Sequence, residues 1–198
     1  LARLGPARSR NALRVCLARA GLAPPSTRRL DALLRQLVDA RADGNLCIDL
    51  DGLTARRFRG ELWLVADEPP PPAGFTAVWA GARPWVIPEL RGELSFEPVP
   101  GAGLDAAQLA PGALEVRTRH GGERLRLGAG RPSRSLKNLF QESAVPPWER
   151  AAAPLVYCRG RLACVPGLGV DPEYAAAAGA VGVGLRWTPF RATKPVIK

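Results

Sequence analysis

The residues of this 198-residue chain best suited to chemistry lie between 117 and 150, RTRHGGERLRLGAGRPSRSLKNLFQESAVPPWER, where eight arginines and lysines gather around two pairs of glycines. Arginine and lysine bind phosphates through charge-assisted hydrogen bonds. Gly121-Gly122 and Gly128 with Gly130 allow tight turns whose backbone N–H groups can approach a phosphate closely. Arg124, Arg131, Arg134 and Lys137 are the densest part of the cluster. Ser135 is placed to cap a short helix, and Arg131, Arg134 and Lys137 around that helix start suit a backbone phosphate. Asn138 and Gln141 suit a ribose 2′-hydroxyl or a base edge. Trp148, after Pro146-Pro147, is open to two readings: a platform on which a base stacks, or a core plug that pins the turn. Arg150 is likewise open to RNA or to a pairing with Glu149 or Glu142. The whole cluster has a plainer reading too, a solvated basic loop ahead of an ordinary packing helix.

No catalytic constellation accompanies it. The chain contains no G-x-x-x-x-G-K-[ST], and no G-x-G-x-x-G opening a helix after a strand. The one histidine, His120, has no nucleophile near it in sequence; it is either a phosphate contact or a turn-surface residue without a role. The acids Glu115, Glu123, Glu142 and Glu149 stand among arginines and read as charge partners, not as a general acid and base. Cys16, Cys47, Cys158 and Cys164 are scattered, with no Cys-x-x-Cys, so free thiols and no zinc site are expected. In a hairpin turning at Arg159-Gly160, Cys158 would face Arg161 and Cys164 would face Leu155, which leaves the two thiols unpaired.

The formal charge of +10 is unevenly spread. Residues 1–111 carry 14 basic and 12 acidic side chains, and residues 112–198 carry 14 and 6. Arginine replacing lysine reflects genome composition, but composition does not explain the shortage of acids after residue 111. A polyanion partner for the C-terminal half is the expectation. No apolar run reaches membrane-spanning length, and no signal-peptide-like segment opens the sequence, so a cytoplasmic protein with no membrane partner is expected.

Several elements must position these residues. Leu13, Cys16, Leu17 and Ala20 recur at helical spacing over 9–20, and Gly21 with Pro24-Pro25 ends that helix. Ser26 caps a second helix to about Ala40, with Leu30, Leu33, Leu34, Leu37 and Val38 as its apolar stripe. Two such helices cannot bury their stripes alone and need a third element or a neighbouring domain. Strands are expected over 47–50 and 54–65 around an Asp51-Gly52 turn. Asp67–Gly74, with four consecutive prolines, reads as a stiff spacer. Short strands at 75–79 and 93–96 and a loop at 98–112 follow. Then come a strand at 114–118, the basic loop, a helix over about 135–143, the 155–165 hairpin and a last strand at 183–187.

The stretches GGERLRL, SRSLKNLFQE, VPPWER, PLVY and VPGLGV, in that order, resemble the C-terminal domain of the tRNA(Ile)-lysidine synthetases. Upstream, RNALRVCLARAGL and SxRRLDALLRQLVDARAD (from Ser26 to Asp43) resemble that family's helical substrate-recognition domain. The stretch from Pro70 to Pro111 has no such counterpart.

The resemblance implies an α+β fold, a helical substrate-recognition domain followed by a small mixed α/β C-terminal domain. The expected divisions are 1–66 for the helical domain with short strands, 67–111 for a Pro/Gly-rich linker and short strands, and 112–198 for the basic α+β tRNA-binding domain. The family converts the wobble cytidine of a minor isoleucine tRNA, the tRNA(Ile) with a CAU anticodon, to lysidine. ATP adenylates the base, and lysine then displaces AMP. That ligase chemistry belongs to an N-terminal ATP-pyrophosphatase domain marked by an SGGxDS loop, which this sequence does not contain. The expectation is therefore a chain inactive alone and without cofactor, whose parent enzyme uses ATP and magnesium. The family's C-terminal domain contacts the acceptor side of the tRNA. The resemblance carries that role onto Arg124, Arg131, Arg134, Lys137 and Asn138, and the helical domain's anticodon-side role, more weakly, onto Arg10, Arg14 and Arg28. Where the family often has Gly-Arg-Gly this chain reads Gly128-Ala129-Gly130-Arg131, so the arginine is displaced by one position. The alternative is structural: the basic half docks on its own N-terminal catalytic domain, or pairs as a homodimer, without binding RNA itself.

Overall fold

Two helices open the chain because two leucine stripes need a common cover. In the computed structural model, which describes residues 5–19, 26–39, 46–49, 53–190 and 195–197, α1 is Pro6–Arg19 and α2 is Thr27–Asp39. α1 starts three residues earlier than the apolar spacing predicts, since proline is favoured in the first helical turn, where its missing N–H is not needed. Ser26 caps α2 as expected, its hydroxyl accepting from the Arg29 amide at 3.4 Å. The third element the helices required is a sheet. Strands β1 (Cys47–Asp49), β2 (Leu53–Phe58) and β3 (Glu61–Ala66) form it in that order. Leu13, Leu17, Leu30, Leu33 and Leu34 pack on Ala55, Leu62 and Leu64. The single long strand expected over 54–65 is broken by a hairpin turn at Arg59-Gly60, both at positive φ. The helix stop at Gly21 and Pro24-Pro25, the side chains of Leu37 and Val38 and the Asp51-Gly52 turn lie outside the described residues.

The second unit contains β4 (Thr76–Val78), β5 (Trp85–Ile87), β6 (Gly92–Pro100), β7 (Leu114–Arg117), β8 (Arg124–Leu125) and β9 (Arg134–Ser135). It continues with α3 (Leu136–Glu142), α4 (Pro147–Arg150), β10 (Leu155–Cys158), β11 (Arg161–Val165), β12 (Gly169–Val170) and β13 (Val181–Pro189). The last strand, β14 (Pro195–Ile197), pairs with β3 and so belongs to the first unit. Contacts divide the chain into Leu1–Pro69 with Thr193–Lys198, and Pro70–Ala192. The division expected at residue 112 thus moves to 69/70. The short strands expected at 75–79 and 93–96 are present as β4 and within β6, and β4 pairs with β7 and β6 with β13, so their backbone groups are satisfied by strands from beyond residue 112. The architecture is α+β, helices first and then mixed, sheet-rich structure.

Three layers make up this unit. The central sheet has order β12-β11-β10-β7-β4, all antiparallel. Side chains alternate across it. Leu114, Val116, Val156 and Cys158 enter one core with Ile87, Leu94 and Trp85 of the β13-β6-β5 sheet. Leu155 enters the other core, with Leu125 of β8 and Leu136, Leu139 and Phe140 of α3, and Tyr157 packs against it. β10 is therefore covered on both faces, which explains its unbroken Leu-Val-Tyr-Cys run. One register expectation is corrected. Cys158 does oppose Arg161, but Cys164 opposes Val156 and not Leu155, because a bulge at Ala163 adds a residue to β11.

No described helix is long and apolar enough to cross a membrane. All four cysteines are free. Cys47 is exposed, while burial pushes the Cys164 thiol up to about 12. At about pH 8 an alkylating reagent should label Cys47 in the folded chain and reach Cys158 and Cys164 only after unfolding. Native labelling of Cys164, read by mass spectrometry, would contradict this packing.

Candidate nucleic-acid interface

The basic segment leaves the central sheet at the end of β7. Thr118 holds that exit: its amide donates to the Phe75 carbonyl at 3.1 Å and its hydroxyl to the Pro72 carbonyl at 3.2 Å. The turn 119–122 comes next and closes on Glu123. One oxygen of this carboxylate accepts from the amides of His120 and, at 2.9 Å, Gly121. The other lies 3.5 Å from Arg119 Nε, and the Glu123 side chain is only 9 % exposed. The Arg119 guanidinium lies over the Phe140 ring. Glu115 pairs with Arg117 at 2.7 Å, on the face where Arg117 covers Tyr157. These acids are charge partners, as the sequence suggests, and their arginines are held to the sheet.

β8 and β9 then form a two-stranded ribbon, pairing Arg124 with Ser135 and Leu125 with Arg134. Leu125 anchors the ribbon in the α3 core, and the loop 126–133 projects from it. Arg124 folds back so that its Nε donates to the Ser133 hydroxyl at 3.1 Å. Arg134 makes a two-pronged pair with Glu142 at the far end of α3; one of its contacts measures 2.8 Å. Hydrogen bonding and charge from Arg134 pull the Glu142 carboxyl down, and Glu142 in turn raises Arg134. Ser135 caps α3 as expected, accepting from the Asn138 amide at 3.3 Å. Arg131, lying against Gly128, and Lys137 are exposed, and neither has an ion-pair partner among the described residues. Asn138 is exposed beside them.

The expected cluster therefore separates into two kinds of side chain. Arg131, Lys137 and Asn138 are open to solvent. Arg124 and Arg134 are exposed but engaged with the protein, though surface pairs of this type exchange partners readily. In the first unit, Arg10 reaches Asp31 at 3.3 Å and Arg14 donates to the Thr27 hydroxyl at 3.1 Å, so both join α1 to α2. Arg28 is exposed. Arg150 Nε donates to the Val145 carbonyl at 2.8 Å, and Trp148 is half-buried in α4.

Two contacts escaped the sequence reading. Leu127 packs over Gly169, and Arg126 reaches Asp171 at 2.8 Å. Both partners come from the VPGLGV stretch and the residue after it, some forty positions away, and only the repeated glycine hinted at a close approach. No three His, Cys, Asp or Glu side chains gather among the described residues, and neither glycine pair leads into a Lys-Ser or Lys-Thr.

The Glu123 geometry has a pH signature. Burial works to raise its carboxyl, but the amides of His120, Glu123 and Gly121 and the charge of Arg119 outweigh burial, and it sits below the ordinary 4.5. A depressed carboxylate stabilises the fold above its unfolded value, and that contribution is lost as pH falls through the folded one. Resistance to urea should therefore fall as the pH drops below 4.5. The slope of that fall should be shallower in Glu123→Gln; an identical slope would show that Glu123 carries none of it.

Both ends of the chain match models of one protein family. Residues 1–63 match the model described as TilS substrate binding domain, and residues 114–187 match the one described as TilS substrate C-terminal domain. The tRNA(Ile)-lysidine synthase of Nitrosomonas europaea is 37 % identical over 190 residues, covering 96 % of this chain and 41 % of that protein. The synthase of that name from Ralstonia nicotianae is 39 % identical over 198 residues, covering 96 % and 42 %. A solved structure, described as the TILS C-terminal domain, overlays 60 % of this chain and 100 % of its own at a TM-score of 0.44 and 23 % identity. The chain spans about two-fifths of the length of these curated relatives. Two models of one family, matched in order and together covering most of the sequence, make the assignment: the chain belongs to the tRNA(Ile)-lysidine synthetase family.

Proposed function

We propose that this chain is the tRNA-binding portion of a tRNA(Ile)-lysidine synthetase. In this reading the second unit holds the acceptor side of tRNA(Ile) with a CAU anticodon through Arg131, Lys137 and Asn138, with Arg124 and Arg134 as exchangeable contacts. The first unit, with Arg28 on its surface, serves the anticodon side. Wobble cytidine 34 is converted to lysidine by an N-terminal catalytic domain that uses ATP and magnesium, and this chain alone makes no lysidine. In this reading the protein works on tRNA in the cytoplasm.

The observation that carries the proposal is the partition of charge in 117–150. Most of its arginines are engaged by acids or carbonyls of their own unit, whereas Arg131 and Lys137, on either side of β9, are exposed without an ion-pair partner among the described residues. Unpaired cations on a helix and on the loop of a strand ribbon suit a surface that reads phosphates and shape.

A salt-dependent titration of the chain tests this, with tRNA(Ile) bearing the CAU anticodon and elongator methionine tRNA as comparison. Roughly micromolar binding at low salt is expected, weakening as salt rises. Arg131→Ala/Lys137→Ala should flatten the plot of log K against log salt by about 1.5. Arg134→Ala should flatten it less, because its pair with Glu142 competes with a phosphate. Absence of binding at low salt would overturn the RNA-binding role and leave docking on the catalytic domain, or self-association, as the better account.

A further inference from the structure

We infer that Asp171 is a positioning residue for tRNA binding, acting through Arg126 to hold the root of the loop 128–133 that carries Arg131. The inference rests on the RNA-binding reading above. It concerns the VPGLGV stretch and the aspartate after it, which make none of the proposed RNA contacts.

The loop leaves β8 through Arg126 and Leu127, and both residues are gripped. Leu127 lies where a side chain at residue 169 would stand: a Cβ on Gly169 would come within 2.7 Å of Leu127 Cδ2. Gly169 also has φ +146°, a conformation that side chains rarely adopt, so two independent constraints demand glycine there. One residue past β12, Asp171 Oδ1 accepts from Arg126 at 2.8 Å. Asp171 is itself fixed. Its amide donates to the Ala163 carbonyl of β11 at 2.8 Å, and the same Oδ1 accepts from the Glu173 amide at 3.0 Å. Its side chain is only 14 % exposed. Glu173 adds a second carboxylate 3.8 Å from the Arg126 guanidinium, and is shared with Arg161 at 2.8 Å.

A continuous set of bonds thus runs from the central sheet through Asp171 and Arg126 to the last residues before Gly128. Beyond them the chain reads Gly-Ala-Gly-Arg-Pro-Ser, whose two glycines supply little stiffness. An arginine on such a loop must be ordered when it binds a phosphate, and that ordering costs free energy unless the loop is already held. The clamp holds the loop's root before RNA arrives. Asp171 touches no RNA in this account; it shortens the search made by Arg131.

The test is a double-mutant cycle in the full chain, with tRNA(Ile) bearing the CAU anticodon as the probe. Asp171→Asn removes the charge with little change of shape. Alone, it should weaken binding about threefold to tenfold and lower the salt slope by roughly as much as Arg131→Ala does, because one phosphate contact is lost. In the Arg131→Ala background it should add less than about twofold. A merely structural aspartate would reduce the active fraction without changing the slope, so the slope separates the two roles. Arg126→Gln, scored in the same way, replaces Asp171→Asn if that variant fails to fold. If wild type binds and responds to Arg131→Ala, while Asp171→Asn is silent or its effect multiplies with that of Arg131→Ala, the positioning role is overturned and the RNA-binding reading stands. If wild type does not bind, the RNA-binding reading is overturned and this one with it.

Discussion

Burial of β10 on both faces is the constraint from which the second unit follows. Leu155 and Tyr157 point one way and Val156 and Cys158 the other, so this strand of four residues needs two covers. One is the β13-β6-β5 sheet, built partly from residues far upstream. The other is β8 with α3, which has too few residues to form a core and exists as a lid on β10 and β11. The basic ribbon and the helix bearing Lys137 are therefore fixed by apolar packing on their inner side, where Leu125, Leu136, Leu139 and Phe140 are all buried. Their charged side has little structural work left to do.

Arginine serves two purposes in this unit, and neighbouring acids separate them. Glu115, Glu123, Asp171 and Glu173 each engage an arginine close to the sheet. There the guanidinium's planar fork and its apolar faces both find partners, as with Arg117 over Tyr157 and Arg119 over Phe140. Among the described residues, Arg131 and Lys137 have neither an acid nor an aromatic ring against them. Net charge alone does not distinguish these groups: a segment can be strongly basic and still spend much of that charge internally. The excess that remains, set on a rigid frame, is what makes a polyanion surface.

Local chemistry was legible where it was self-contained. Ser26 and Ser135 cap their helices because a hydroxyl three residues before a free amide needs no distant partner. The Arg159-Gly160 turn was readable for the same reason, as two residues at positive φ between apolar runs. Expectations failed where the deciding partner was remote. A boundary near residue 112 follows from the local prolines and glycines, yet β4 and β6 are completed by β7 and β13 from beyond it. Cys164 was set one residue out of register because a bulge leaves no mark on a single strand's alternation. Nor does the sequence show that Arg10 and Arg14 link α1 to α2.

By itself the sequence determined the composition of the surface: a basic C-terminal half, a family resemblance carried by short ordered motifs, helix caps, and a reserve of exposed cations in 117–150. These depend on residue type and near neighbours, over distances a few bonds long. Only the tertiary structure decided which cations are spent. Asp171 meets Arg126 across 45 positions, and Gly169 makes room for Leu127 across a similar span. Ion pairs and close packing act over a few ångströms in space whatever the distance along the chain, so separating the anchoring arginines from the open ones required the fold.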